Sequence, residues 1–485
     1  MNTHRMPSRW CLPAMAATLA LAAGCTLGPE YQRPELPLPQ AWRVPPAEAA
    51  DLANVEWWRG FGDSQLDAYI ELALSANKDL LIAAQRVQRY DARLQSSQSA
   101  NYPSLGYNVG ASRERRSQER PNGLRAGDSP YVSNFELGGS VRWELDLWGR
   151  VRRADEAARA ELLSSQEARR GVMLSVASGV ASGYLRLLEL DQRLALAQEA
   201  LKNRKDALGL AVQRAEGGPG TRIAVERVRA EAEQAAAQIP AIERDTIEVE
   251  NALSALLGRN PGPLERRSID GLGRPQLPQG VPADVLTRRP DIMAAEQDLV
   301  AANARIGVAK TGYFPTLSLS ALLGLGADDT RWLFSETART GNVGLGLAGT
   351  LFDGGRTAAT IRESEALAGE MALRFQQAVL NALVEVETAL ATQDKLRARE
   401  AAEGRVLTVR QEVARLSRVR FDGGESALPE VLDAELEVIE AKVNRLESPR
   451  DALLALVAVY KTMGGGWMQE RDSRQAAAGS VEVKP

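Results

Sequence analysis

Histidine and cysteine are all but missing. His4, Cys11 and Cys25 are the whole supply, and all three lie in the first 25 of 485 residues. The rest of the chain therefore has no imidazole for acid–base catalysis, no thiol nucleophile, no disulfide and no Cys or His zinc site, while carboxylate-only chemistry remains open to it. No glycine-rich phosphate loop followed by Lys-Ser or Lys-Thr occurs, and Gly464 to Gly466 precede Trp467 at a chain end instead of opening a helix. Aromatics amount to 5% of residues and apolar residues to 44%, a composition suited to long helices rich in Ala, Leu, Glu and Arg. A net charge of −4 makes no case for a nucleic-acid partner. Outside the amino-terminal segment no stretch reaches 18 uninterrupted apolar residues, so no transmembrane helix is expected.

What is present begins with a signal. Residues 1–24 carry Arg5 and Arg9, then an apolar run from Cys11 to Ala23, and read as a secretory leader. Leu21-Ala22-Ala23-Gly24-Cys25 resembles the lipobox of bacterial lipoproteins, which implies that Cys25 becomes the first mature residue and carries N-palmitoyl and S-diacylglycerol groups. The alternative is an ordinary leader with an incidental Cys. Thr26 stands where an Asp would favour inner-membrane retention, which points to the outer membrane. Pro29, Pro34, Pro37, Pro39, Pro45 and Pro46 make residues 25–63 an extended arm. Trp42, Trp57, Trp58 and Phe61 either pin that arm or form the core of a small cap.

The body is a duplication. Asp79, Ala83 and Pro103 match Asp291, Ala295 and Pro315 at an offset of 212, and Gly149-Arg150, Gly217-Gly218 and Gly258 match Gly355-Arg356, Gly423-Gly424 and Gly464 at 206. Six extra residues in the first copy fall around Arg113 to Asp128, between its strands. The copies span 64–259 and 283–466, joined by a Pro- and Gly-rich linker over 260–282 and followed by a polar tail, 467–485, expected to be disordered. Each copy is expected to hold a helix (in the first, one run from Asp63 or Ser64 to about Ala100), two strands, a helix of roughly 65–70 residues and a return helix of nearly 40. Pro240 and Pro449 should kink the return helices. Helix gives way to strand at Pro103 and Pro315.

Strands are expected near 104–118, 133–147, 316–326 and 342–353. Odd positions such as Phe135, Leu137, Val141, Trp143, Leu145, Val343, Leu345, Leu347 and Leu351 are apolar, and the intervening ones polar or small. A lipid-facing exterior over a polar lumen has this pattern, and so does a half-exposed sheet of a soluble protein, but no segment offers a second layer for the apolar face. Four strands cannot close a membrane barrel, whose minimum is eight, so copies must combine. Two would give eight strands and three would give twelve.

Cys25 in its lipobox, Trp57-Trp58, the run Trp143 to Arg150, Arg288 to Ile292, Phe314-Pro315, Phe352 to Arg356 and Gly464 to Trp467 together resemble the TolC-type outer-membrane factors, in the lipoprotein branch that serves resistance-nodulation-division pumps. The resemblance covers essentially the mature chain. It implies an all-α-dominated membrane protein with a β-barrel: a homotrimer with a twelve-stranded barrel in the outer membrane of a Gram-negative bacterium, and a long periplasmic helical tunnel. It also implies a periplasmic adaptor and an inner-membrane pump as partners, no cofactor beyond the covalent lipid, no enzymatic activity, and export of drugs and other small amphiphiles. By the same resemblance the tunnel closes between Phe421 and Ala434, with Glu430 and Asp433 in rings facing the lumen and Pro429 near an apolar constriction. Alternatively, Glu430 and Asp433 favour the first turn of a helix, as acids do. Some members latch this tip with an Arg where Ser426 stands here; Arg227, the counterpart of Asp433, is one substitute. A carboxylate-only glycan hydrolase would need two acids in a cleft, which no segment suggests. A passive coiled-coil spacer would leave the amphipathic strands unexplained.

Overall fold

The computed structural model describes residues 26–43, 49–50, 56–115, 129–218, 220–278 and 282–465. Cys25, the first-copy loop 116–128 and the expected tail lie outside them. In chain order the main elements are α1 (Ser64–Ala76), α2 (Lys78–Gln98), β1 (Ser104–Arg115), β2 (Tyr131–Leu145), α3 (Arg150–Glu216), α4 (Arg222–Leu256), α5 (Pro290–Lys310), β3 (Thr316–Ala327), β4 (Arg339–Ala348), α6 (Arg356–Asp422) and α7 (Leu428–Thr462). The duplication is visible in their lengths. Both α2 and α5 have 21 residues, α3 and α6 have 67, α4 and α7 have 35, and β1 and β3 have 12.

Two compact units divide the chain. One comprises residues up to 35, 87–164 and 295–375; the other comprises 36–86, 165–294 and 376 onwards.

The first unit holds the sheet. Its strands run antiparallel in the order β1-β2-β3-β4, so β2 and β3, from different copies, are neighbours, and β1 and β4 are the edges. The register pairs odd residues with odd. Leu105 faces Val141, Val141 faces Ala321, and Ala321 faces Val343; Trp143 faces Leu319, and Leu319 faces Leu345. All four apolar rows therefore lie on one side of the sheet. The other side carries Gly, Ser, Asn, Arg142 and Glu144, with Val132 and Leu322 as exceptions. Among the described residues the apolar side is most open along its two edge strands, where Leu105, Tyr107 and Val343 are 84%, 88% and 79% exposed. In the same unit α3 and α5 approach closely through Ala157, Ala160, Ala301 and Ala304.

The second unit has a conventional core. Trp58, Phe61, Leu66, Ile70, Tyr184, Leu185, Leu187, Leu188, Leu253 and Leu257 are fully buried, and Trp42 and Trp57 nearly so. Trp57 stacks on Tyr460 with centroids 5.3 Å apart. Ala49–Ala50 of the arm pairs in parallel with Leu277–Pro278 of the linker. Among the described residues α3 is long and apolar enough on average to cross a membrane, though it has no uninterrupted apolar run of 18 residues, and 61% of its apolar window is buried in packing. Val176, Ala177, Val180, Ala181 and Tyr184 supply that burial, as in the core helix of a packed domain.

Several expected boundaries move. The first helix is two, because Asn77 is extended (φ −60°, ψ 130°); its Oδ1 accepts from Leu80 N at 3.0 Å and its Nδ2 donates to Leu256 O at 2.9 Å. Asp63 caps α1, accepting from Gln65 N and Leu66 N. The second strand runs two residues earlier than expected at each end. The fourth ends at Ala348 instead of near 353, because its partner strand starts at Thr316 after Pro315, which has no N–H to donate, and leaves later residues without a ladder. Leu351 is therefore not a strand residue. Pro240 and Pro449 lie inside α4 and α7, which continue through them.

Candidate functional site

Two places gather the residues singled out from the sequence. The first is the turn between α6 and α7. Gly424 adopts φ +76°, Gly424 N donates to Phe421 O at 3.0 Å, and Glu425 N donates to Arg420 O at 2.8 Å, which together end α6 in a Schellman motif. Pro429 and Glu430 open α7, where a missing proline N–H costs nothing. Val431, Leu432 and Ala434 face inward, and Leu432 packs with Ala211, Val225 and Val228 of α3 and α4. Glu430 and Asp433 lie on the opposite, exposed side.

Their electrostatics differ. Arg420 donates to Glu430 at 3.0 Å, whereas Asp433 has no ion pair among the described residues. Arg227 is exposed and makes no ion pair within its own chain among the described residues. Ser426 has a buried hydroxyl oxygen without a hydrogen-bond partner and ties nothing down.

The contacts that hold this region were not foreseen. Arg214 of α3 lies over the Phe421 ring, 4.8 Å from its centroid. Arg204, nearly buried, pairs with Glu231 of α4 at 3.3 Å and donates to Leu432 O of α7 at 3.4 Å. Applied to charges, the offset of 206 would have flagged some of this, since Arg204 and Glu231 map onto Arg410 and Glu437, which also pair. Arg214 maps onto Arg420, but Ala224 stands where Glu430 would be, which frees Arg214 for Phe421.

The second place is the sheet end from which α3 and α6 start. Pro103 and Pro315 immediately precede β1 and β3. Gly149 and Gly355, at φ +79° and +90°, start the long helices in the left-handed region that favours glycine. Arg150 bonds Glu144 in bidentate fashion at 2.7 and 2.6 Å. Arg356 makes no ion pair among the described residues. Trp148 packs against Phe314 with the rings tilted by 32° and their centroids 4.8 Å apart, and donates Nε1–H to Pro315 O at 2.7 Å. The arm starts here too. Leu27 N donates to Trp148 O at 3.2 Å, Thr26 presses on Gly149 so closely that a Cβ there would sit 2.8 Å from its methyl, and Arg153 donates to Leu27 O at 3.1 Å.

In the second unit the linker is held at two points. Arg266 meets Asp191 and Glu250, both at 2.5 Å. Arg274 grips Glu400 at 2.9 and 2.6 Å, with Arg445 also 3.6 Å from Glu400. The Arg274 hydrogen bonds hold the Glu400 carboxyl below the ordinary glutamate range. Among the described residues no group of His, Cys, Asp and Glu could hold a metal ion.

Comparison with known proteins agrees with this geometry. A family model described as outer membrane efflux protein matches residues 69–259 and 281–465. The cation efflux system protein CusC of Escherichia coli O6:H1 is 30% identical over 458 residues, covering 93% of this chain and 98% of that one. The pyoverdine export outer membrane protein OpmQ of Pseudomonas putida is 31% identical over 475 residues, covering 97% and 100%. Among solved structures, the outer-membrane channel OprN superposes with a TM-score of 0.83 at 28% identity, over 91% of this chain and 100% of that one.

Proposed function

The chain belongs to the outer membrane efflux protein family, and from that premise we propose that it is the exit duct of a tripartite pump, gated where α6 turns into α7. One observation carries this: a four-stranded sheet whose apolar side is exposed along both edge strands, followed in the chain by duplicated 67-residue helices. Three copies form the channel, supplying the twelve strands that close a barrel. A periplasmic adaptor and an inner-membrane resistance-nodulation-division pump complete the system. We assign the protein no catalytic step.

Drugs and other small amphiphiles are the cargo we infer. The chain is about equally similar to a protein named for cation efflux and one named for pyoverdine export, so similarity of the duct does not select a cargo. Acylation of Cys25 is supported by the seat of Thr26 at the sheet end, which brings the arm to where a bilayer surface would lie. The carboxylates of Glu430 and Asp433, three of each in the trimer, would crowd the closed mouth and attract cations. Arg420 offsets Glu430, so Asp433 carries the larger share.

Single-channel recording tests this. The purified protein should conduct poorly, prefer cations and be blocked by a trivalent cation from the helical side. Glu430→Ala with Asp433→Ala should weaken block and selectivity, and Asp433→Ala alone should do most of it. Absence of any pore would defeat the duct; identical block in the double variant would return both acids to the role of helix-terminal charges.

A further inference from the structure

The two copies differ sharply at one junction. The offset of 206 places Thr350 at the position of Glu144, Leu351 at Leu145, Phe352 at Asp146, Gly354 at Trp148 and Arg356 at Arg150. In the first copy both carboxylates are engaged: Glu144 holds Arg150, and Asp146 accepts from Arg152 N at 3.0 Å and Arg152 Nε at 3.3 Å. In the second copy both are gone. Arg356 keeps an exposed guanidinium without an ion pair among the described residues, beside Leu351 and Phe352, which are 104% and 90% exposed. Asp353, the one acid in the segment, attracts Arg356 without reaching an ion pair, and its oxygens are taken by α6, accepting from Gly355 N at 2.9 Å, Thr357 N at 2.8 Å and Thr357 Oγ1 at 2.5 Å.

An exposed Leu-Phe pair is costly in water and an exposed Arg guanidinium beside it is costly in hydrocarbon, so the pair together suits a boundary between the two. The surroundings agree. Val343, Leu345 and Leu347 carry the bare apolar side of β4 up to this point, and Tyr102 and Tyr313, 72% and 61% exposed, stand just before β1 and β3 at the same sheet end.

We propose that residues 349–356 form a lipid-binding element, in which Leu351 and Phe352 enter the acyl layer and Arg356 takes the phosphate of an anionic phospholipid in the leaflet at the helix-bearing end of the barrel. The element rests on the barrel assignment above. It fixes the depth of the second-copy junction, while the arm ending at the lipidated residue serves the first-copy junction. The asymmetry of the duplication is thereby accounted for: one junction is closed by side-chain ion pairs and the other by lipid.

Electron paramagnetic resonance of the full-length trimer in phosphatidylcholine–phosphatidylglycerol vesicles tests the placement. Nitroxides are attached at Phe352→Cys, at Tyr107→Cys on the apolar side and at Asp422→Cys on the helical turn, with the unmutated protein as the labelling blank. The label at 352 should be several-fold more accessible to oxygen, relative to a nickel chelate, than the label at 422. Nickel access equal to that at 422 would overturn the inference, as would protection from both agents, which means packing against a neighbouring copy. A label at 107 open to nickel would sink the barrel assignment and this inference with it; protection at 107 but not at 352 would sink this inference alone. For Arg356, phosphatidylglycerol retained by the trimer in native mass spectrometry should show about fivefold weaker affinity in Arg356→Gln. Unchanged affinity would remove Arg356 from the site.

Discussion

At the scale of the residue, Glu400 is the charge whose environment has the clearest consequence. Its carboxyl lies under two arginines and is 12% exposed, so its ion pairs are not screened like those of surface pairs. Its folded pKa is depressed relative to the ordinary value of about 4.5, because Arg274 hydrogen-bonds the charged form. The stability it contributes is therefore fully present above that value and lost as pH falls through the lower, folded value. Apparent melting temperature in detergent should fall as pH drops below the ordinary value of about 4.5, and Glu400→Gln should be less stable than wild type at pH 7 with a shallower loss on acidification. Equal slopes would show that other carboxylates dominate. The acids at the turn were legible in the sequence as acids. Their inequality was not, since nothing along the chain says that Arg420 reaches Glu430 while Asp433 goes without.

At the scale of the element, the duplication explains why the return helices end as they do. Gly258 and Gly464 follow α4 and α7 at φ +70° and +89°, and a Cβ at either would come within 2.3 Å of Ala76 O and 2.6 Å of Arg288 O respectively. Ala76 and Arg288 are themselves counterparts at the offset of 212. One residue on, Asn77 donates to Leu256 O and Arg289 to Thr462 O at 3.0 Å, again counterparts. The contact has outlasted the side chains that make it. Gly258→Ala and Gly464→Ala should each cost more than the roughly 1 kcal/mol of a left-handed alanine, which is all that Gly62→Ala, with open space around it, should cost. Thermal unfolding of the three variants decides, and equal losses would mean that the helix ends give way freely. The glycines were readable in advance because left-handed turns leave few alternatives. The break at Asn77 was not, because its counterpart is an arginine and the shared task is visible only in space. Likewise β2 pairs with β3 across copies, and alternation reports which side a residue faces but not which strand lies beside it.

At the scale of the whole molecule, the strand order leaves the outer edges of β1 and β4 unpaired, one from each copy. Ring closure joins β4 of one subunit to β1 of the next, so each subunit owns half of two seams. In genetic terms, a defect at such an edge cannot be recessive. A subunit with β4 interrupted by Val343→Pro, made in equal amount with the intact one and mixing freely, would leave only about one trimer in eight without a broken seam. Resistance to exported compounds should collapse on co-expression far below the half expected from simple dilution. Retention of half the resistance would mean that subunits reach the membrane alone and choose their partners there.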